Sequence, residues 1–314
     1  MKHRADIYLE QFKEWLLLKG NTSTTATSFT RSVRHFTAWL AGQGIEPESA
    51  SHNDVLAYVS HQKQQGNKQR TLQSIINALR HFYNFMQQQD IVAENPASNV
   101  IIKGIKRKEL VEILSPEELT AIYQSYDTAP RERQKDMLMP PQYIHELVRK
   151  RNKIILGLLI YQGIRTPELT NMQLSDVQLR EGKVTIQGSR RSEGRILTLE
   201  AHQIYDFSDY MHTVRKELLA ATKKTSSAVF IATGGSLNVR SMTRYLLACI
   251  QKQNPKVKDL QHLRTSVISN WLKVHNLRQV QYMAGHRFVS STEAYQLNNI
   301  EELQDDIKKY HPIG

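Results

Sequence analysis

The chain has 314 residues, 40% hydrophobic and 23% charged, which excludes a disordered or fibrous protein and leaves room for two globular domains. Lys+Arg at 42 against Asp+Glu at 30 gives +12, a balance that favours a polyanionic partner. A lone cysteine, Cys249, excludes an internal disulfide and a cysteine-based zinc site; with no membrane-length apolar run and no signal-peptide core in the first residues, a reducing cytoplasm is the expected location.

Four amphipathic helices are expected first. Leu9, Phe12, Leu16 and Leu17 recur at helical spacing over about 7–19, before Gly20-Asn21. A second helix over about 24–41 carries Phe29, Val33, Phe36 and Leu40 and stops at Gly42-Gln43-Gly44. A third starts near Asn53 with Val55, Tyr58 and Val59. The fourth, about 69–89, aligns Leu72, Ile76, Leu79, Phe82 and Phe85. Asn95-Pro96 then breaks the pattern, since a residue before proline avoids the helical region. Lys103-Gly104-Ile105-Lys106-Arg107-Lys108 reads as an exposed basic linker, either a solvated loop or a segment that crosses the polyanionic partner.

Ser115-Pro116-Glu117-Glu118 has the form of a capping box with proline at the first helical position. Residues 128–139 read as a loop or insertion, and a long helix should cover about 143–161. Short strands are expected at 177–179, 183–187 and 195–199, with Arg180-Glu181-Gly182 turning between the first two. Beyond Glu200 the pattern is helical apart from Val229-Phe230-Ile231. The expected fold is mainly α: a four-helix domain, then a mainly helical domain with a small antiparallel sheet.

The residues best suited to chemistry come late. Gly163-Ile164-Arg165-Thr166-Pro167-Glu168-Leu169, then Leu263-Arg264, then Ala284-Gly285-His286 are followed nine residues later by Tyr295. Two arginines, a histidine and a tyrosine suit attack of a phenolate on a phosphodiester. That reaction passes through a pentacoordinate phosphorus whose extra negative charge preorganised cations stabilise. Arginine stays charged and its planar fork binds two oxygens. A phenol ionises near pH 10 in water, so the nucleophile needs cations beside it. The chain lacks an HExxH pair, a clustered two-metal carboxylate motif and a GxxxxGK[ST] loop, so neither metal nor another cofactor is implied.

In order and spacing these motifs resemble the tyrosine recombinases, the phage-integrase family, in their simple two-domain form. The N-terminal stretch Thr71-Leu72…Ala78-Leu79-Arg80-His81-Phe82-Tyr83 resembles the family's core-binding domain, so the likeness spans about 5–298. It implies a core-binding domain at 1–102, a linker at 103–113, a catalytic domain of the DNA breaking-rejoining fold at 114–298 and a tail at 299–314. The tail would dock on a neighbouring protomer or pack on its own chain. Tyr295 would be the nucleophile, leaving a 3′-phosphotyrosyl bond and a free 5′-hydroxyl, with Arg165, Arg264 and His286 around the phosphate; Glu168, three residues after Arg165, would support the site or form a surface ion pair. Conserving the bond energy in the covalent link removes any need for ATP.

Two positions depart from the family pattern. Its second box reads His-x-x-Arg; here Gln261 stands three before Arg264, with His262 beside it. Glutamine hydrogen-bonds a phosphate but shuttles no proton. The hairpin lysine that protonates the leaving oxygen is also missing from Gly188-Ser189-Arg190-Arg191-Ser192-Glu193-Gly194, where Arg190 is the best positional match and Arg191 stands next to it as the alternative.

The resemblance implies site-specific recombination (integration, excision, transposition or resolution) by a homotetramer on double-stranded DNA with an inverted-repeat core site. The two domains would clamp the DNA, with Lys68, Arg70, Arg80, Lys103, Lys106 and Arg107 as candidate phosphate contacts. Because helices begin almost at Met1, no extra arm-binding domain is expected. The rivals are a catalytically silent DNA-binding protein and a type IB topoisomerase-like relaxing enzyme.

Overall fold

The computed structural model describes residues 4–104, 112–128, 142–223, 225–233 and 239–296. Lys106, Arg107, the 299–314 tail and all but the first residue of the 128–139 segment lie outside the described residues. The chain divides into two units, 1–109 and 110–314.

In the first unit, helices α1 (Arg4–Leu18), α2 (Ser23–Gly42), α3 (His52–Gln64) and α4 (Gln69–Gln88) follow the expected apolar spacing. Side chains fix where they begin. Thr22 Oγ1 accepts from the Thr25 amide, and a Ser51/Asp54 capping box opens α3. One face of α4 buries Leu72, Ile76, Leu79, Phe82 and Met86, and the Phe82 ring meets Phe12 edge-on at 5.4 Å. A short 3-10 turn at Pro47–Ser49, not foreseen, precedes α3. Arg80 is committed within this unit: Nε donates to Ala97 O at 3.0 Å and Nη2 to Val100 O, so the guanidinium ties down the chain after Pro96. Lys68, Arg70 and Lys103 are exposed.

The second unit opens as the motif foretells. Ser115 Oγ accepts from the Glu118 amide, Glu118 reaches back to the Ser115 amide at 2.9 Å, and α5 (Pro116–Ser125) follows. Next come α6 (Gln142–Tyr161), α7 (Thr166–Asn171), and strands β1 (Val177–Gln178), β2 (Lys183–Ile186) and β3 (Arg195–Thr198) in an antiparallel sheet of that order. Each strand ends one residue before its expected end. The turn between the first two is a 3-10 segment, Leu179–Glu181, closed by Gly182 at φ +61. The register Val184↔Leu197 and Ile186↔Arg195 puts Val184, Ile186, Arg195 and Leu197 on the buried face.

Helices α8 (Ala201–Asp209) and α9 (Arg215–Thr222) are joined by a π-helical stretch, Tyr210–Val214. The apolar run Val229-Phe230-Ile231 is irregular and follows an isolated bridge, Gln173↔Ala228. It is pinned by buried donors: Arg151 to Ile231 O at 2.6 Å, Tyr210 to Val229 O at 2.8 Å and Arg215 to Ala228 O at 2.8 Å. Then come α10 (Val239–Gln253), α11 (Leu260–Val274), α12 (Leu277–Ala284) and a helix over 290–296. Residues 262–269 of α11 are all buried, which makes it the central helix of this unit. No helix among the described residues is long and apolar enough to cross a membrane.

Candidate active site

Four separate segments of the second unit meet at one place. Arg165 caps α7, Gln261 and Arg264 lie in the first turns of α11, His286 follows α12, and Tyr295 sits on the 290–296 helix. The hairpin between β2 and β3 completes the ring. Arg165, Arg190, Arg191, His286, Arg287, Phe288, Ser291 and Tyr295 line a cavity of about 340 Å³. A larger cavity of about 570 Å³ lies elsewhere in the unit, but Lys153, the cation among its lining residues, is paired with Asp206 at 3.1 Å. The smaller one gathers four arginine side chains, Arg165, Arg190, Arg191 and Arg287.

Arg264 joins the segments. Its buried guanidinium donates to Gly163 O and to Ala284 O (2.6 Å), the carbonyls just ahead of the Arg165 and His286 turns. Gly163 fits there because its φ of +55 favours glycine and an added Cβ would meet Val267 at 3.2 Å. Burial first, and then the neighbouring Arg165 charge, push the Arg264 pKa down to about 10, which leaves it a cation at neutral pH.

His286 is 5% exposed. Its Nε2 lies 3.4 Å from Arg264 Nη2, and its Nδ1 lies 2.9 Å from Thr292 Oγ1. A guanidinium cannot accept, so Nε2 accepts and Nδ1 carries the proton, donated to Thr292. Burial, then the charges of Arg264 and Arg165, lower the His286 pKa to about 4, so the ring is neutral. It stacks on the Tyr295 ring, centroids 5.6 Å apart at 17°. Gln261 Nε2 donates to Tyr295 Oη at 3.3 Å, so the glutamine of the departing second box faces the phenol.

The structure does not bring His262 into this group. Its ring is buried on another side of α11, with Nδ1 accepting from the Lys258 amide (3.2 Å) and Nε2 at 2.6 Å from Glu112 O. One step along a helix turns a side chain by about 100°, so neighbours 261 and 262 face different surroundings.

Glu168 has a closer partner than Arg165. Its carboxylate accepts the Arg165 amide at 2.9 Å but stands 3.6 Å from the Arg165 guanidinium. Both oxygens are instead taken by Arg195, Nη1 and Nη2 each at 2.9 Å, in a two-pronged buried pair. Arg195 was visible in the sequence only as the start of a strand. The available signal was its place on the same face of β3 as Leu197, an arginine where a core residue is due. Thr292 and Arg287 were also overlooked. Arg287 donates to Arg190 O (2.8 Å) and Glu193 Oε1 (3.1 Å), which fixes the hairpin bearing Arg190.

Gly285 shows why glycine precedes the histidine. Its φ is +62, its carbonyl accepts from the Glu193 amide at 3.3 Å, and a Cβ would lie 2.5 Å from Arg195 Nη1. Gly285→Ala should therefore cost about 2 kcal/mol from the left-handed backbone alone, and more from the displaced guanidinium. Thermal unfolding should fall by about 5 °C or more. Gly285→Asn tolerates the backbone but keeps the Cβ, so its recovery to wild-type stability would sink the clash explanation.

Comparison with known proteins agrees with this geometry. The phage integrase family model matches residues 112–302, and that of the phage integrase N-terminal SAM-like domain matches 9–90. Tyrosine recombinase XerD of Shewanella oneidensis is 25% identical over 299 residues, 94% of this chain and 93% of that one. Tyrosine recombinase XerC of Bacillus subtilis is 25% identical over 317 residues, 97% and 96% of the two chains. Among solved structures, XerH recombinase bound to palindromic difH substrate (post-cleavage) has a TM-score of 0.67 at 17% identity, covering 90% of this chain and 78% of its own. The lambda integrase (75–356) dimer on a COC′ core site has 0.62 at 15% identity, covering 92% and 94%. A helical domain with a three-stranded sheet is thus a fold shared with DNA strand-breaking enzymes. The chain belongs to the phage integrase family, the tyrosine recombinases, which cut and rejoin DNA.

Proposed function

We propose that this chain performs site-specific recombination on double-stranded DNA through a 3′-phosphotyrosyl intermediate. The observation that carries this reading is the convergence of Arg165, Arg190, His286 and Tyr295 on one cavity, from segments far apart in sequence. Tyr295 Oη gives its proton to solvent and attacks the phosphorus, and the bond to the 5′-oxygen breaks. Arg165 and Arg264 stabilise the charge that gathers on the non-bridging oxygens. Gln261, already donating to the phenol oxygen, orients it toward the phosphorus. His286, neutral and accepting from Arg264, sets the guanidinium and stacks the phenol. Arg190 is a poor acid, so it neutralises charge and orients the water that protonates the leaving oxygen.

Lys68, Arg70 and Lys103, all exposed, are assigned to the DNA backbone, whereas Arg80 serves the fold. The assembly is a homotetramer on two inverted-repeat core sites, exchanging strands pairwise, and it acts in the cytoplasm. The reaction is integration, excision, transposition or resolution of a DNA element.

The test is to incubate the protein with fragmented DNA of its source genome, then recover and sequence detergent-resistant adducts, with Tyr295→Phe in parallel. Adducts at one short inverted repeat, absent from the variant, are expected. Scattered adducts with supercoil relaxation would point to a topoisomerase. Tight DNA binding without any adduct would leave a silent DNA-binding protein, the outcome to which Gln261 and the missing hairpin lysine lean.

A further inference from the structure

Phe288 lies on the bend between His286 and the helix that carries Tyr295. It is 68% exposed and belongs to neither hydrophobic cluster of this unit among the described residues. Yet its backbone is fixed. Its carbonyl accepts from the Ser291 amide at 3.1 Å, and the preceding Arg287 is anchored to the hairpin through Arg190 O and Glu193. The side chain lines the same cavity as Arg165, Arg190, Arg191 and Arg287. A large apolar ring held in the open among four arginines is poorly explained by folding. It is well suited to a ligand with both phosphates and flat aromatic faces, because cations track a nucleic-acid backbone while an aromatic side chain stacks a base.

Resting on the recombinase reading, we propose that Phe288 stacks on an unpaired nucleobase next to the phosphate attacked by Tyr295. Seven residues separate the two (295 − 288), most of them helical, a rise of about 10 Å. At about 3.4 Å per nucleotide along a strand, the stacked base lies within about three steps of the cut. Strand exchange requires bases there to leave their partners, and an aromatic face stabilises the unpaired state. Since stacking strength differs among bases, Phe288 also biases which sequences are cut.

The test uses the full chain and duplexes bearing the captured site, unmodified or with a single abasic sugar one, two or three positions from the cleaved phosphate. The rate of Tyr295-dependent adduct formation is compared for wild type, Phe288→Ala and Phe288→Trp. On unmodified DNA, Phe288→Ala should lose about tenfold and Phe288→Trp should retain most of the rate. On the duplex lacking the stacked base, wild type and Phe288→Ala should be equal, because each change removes the same contact. An alanine variant equal to wild type on unmodified DNA overturns the proposal, and so does a loss of the same size on all three abasic duplexes. In both cases wild-type adducts on unmodified DNA would still uphold the recombinase reading; their absence would remove that reading itself.

Discussion

Arg264→Ala is expected to slow Tyr295-dependent adduct formation by about 10³-fold or more. Removing one preorganised donor from a charge-stabilising site costs about 10²- to 10³-fold, and this residue supplies a full charge. Arg264 also holds the Gly163 and Ala284 carbonyls, so its loss leaves two buried acceptors without their donor, at about 1–3 kcal/mol each. Those carbonyls belong to the turns that present Arg165 and His286. Losing the guanidinium therefore loosens the rest of the site as well as removing a cation. Arg264→Lys separates the two effects: it restores the charge, but a point ammonium cannot reproduce the fork that reaches both carbonyls. It should recover part of the rate and little of the thermal stability. Adduct formation timed on the captured site, with melting curves for each variant, checks this. An alanine variant within tenfold of wild type would remove Arg264 from the chemistry.

Much of this site was legible from local signals. The capping box at Ser115 and the apolar spacing of α4 act over a few residues, so their consequences are close to deterministic. The motif residues Arg165, Gln261, Arg264, His286 and Tyr295 could be named from order and spacing. Their partners could not. Arg195 pairs with Glu168 across 27 residues of chain, and Arg264 meets Ala284 across 20. Such contacts are set by how α7, α11 and β3 pack, a tertiary property with no local pattern. Glu168 shows the consequence: it keeps Arg165 within 3.6 Å, as neighbours three apart on a helix can, but its closer, two-pronged partner is a buried strand arginine that no local pattern announces. Arg80 shows the converse, a cation that looked free for phosphate but is held by two carbonyls.

That buried pair gives the second large effect, and one with a sign that pH can test. Glu168→Gln should destabilise the protein by about 3–5 kcal/mol, because it leaves Arg195 charged, buried and unpaired. At about 2–4 °C per kcal/mol for a unit of this size, melting should fall by about 10 °C. Burial alone would raise the Glu168 pKa. The Arg195 hydrogen bonds and charge more than offset burial and hold it below its ordinary 4.5. The unfolded chain then binds more protons than the folded one between the two values, so stability rises with pH through that window. The contribution is complete above about pH 4.5 and is lost as the pH falls through the folded value. The stability gap between wild type and Glu168→Gln should thus stay constant from pH 7 to pH 5 and narrow below pH 4.5. His286, with its pKa lowered to about 4, also titrates under acid; the Glu168 charge raises it, so Glu168→Gln lowers it further, a coupling that reaches the difference only at about pH 4 and below. A gap unchanged down to pH 3 would mean that Arg195 is not what keeps Glu168 charged. The pair would then be a bystander to the placement of Arg165, whose amide the same carboxylate holds at 2.9 Å.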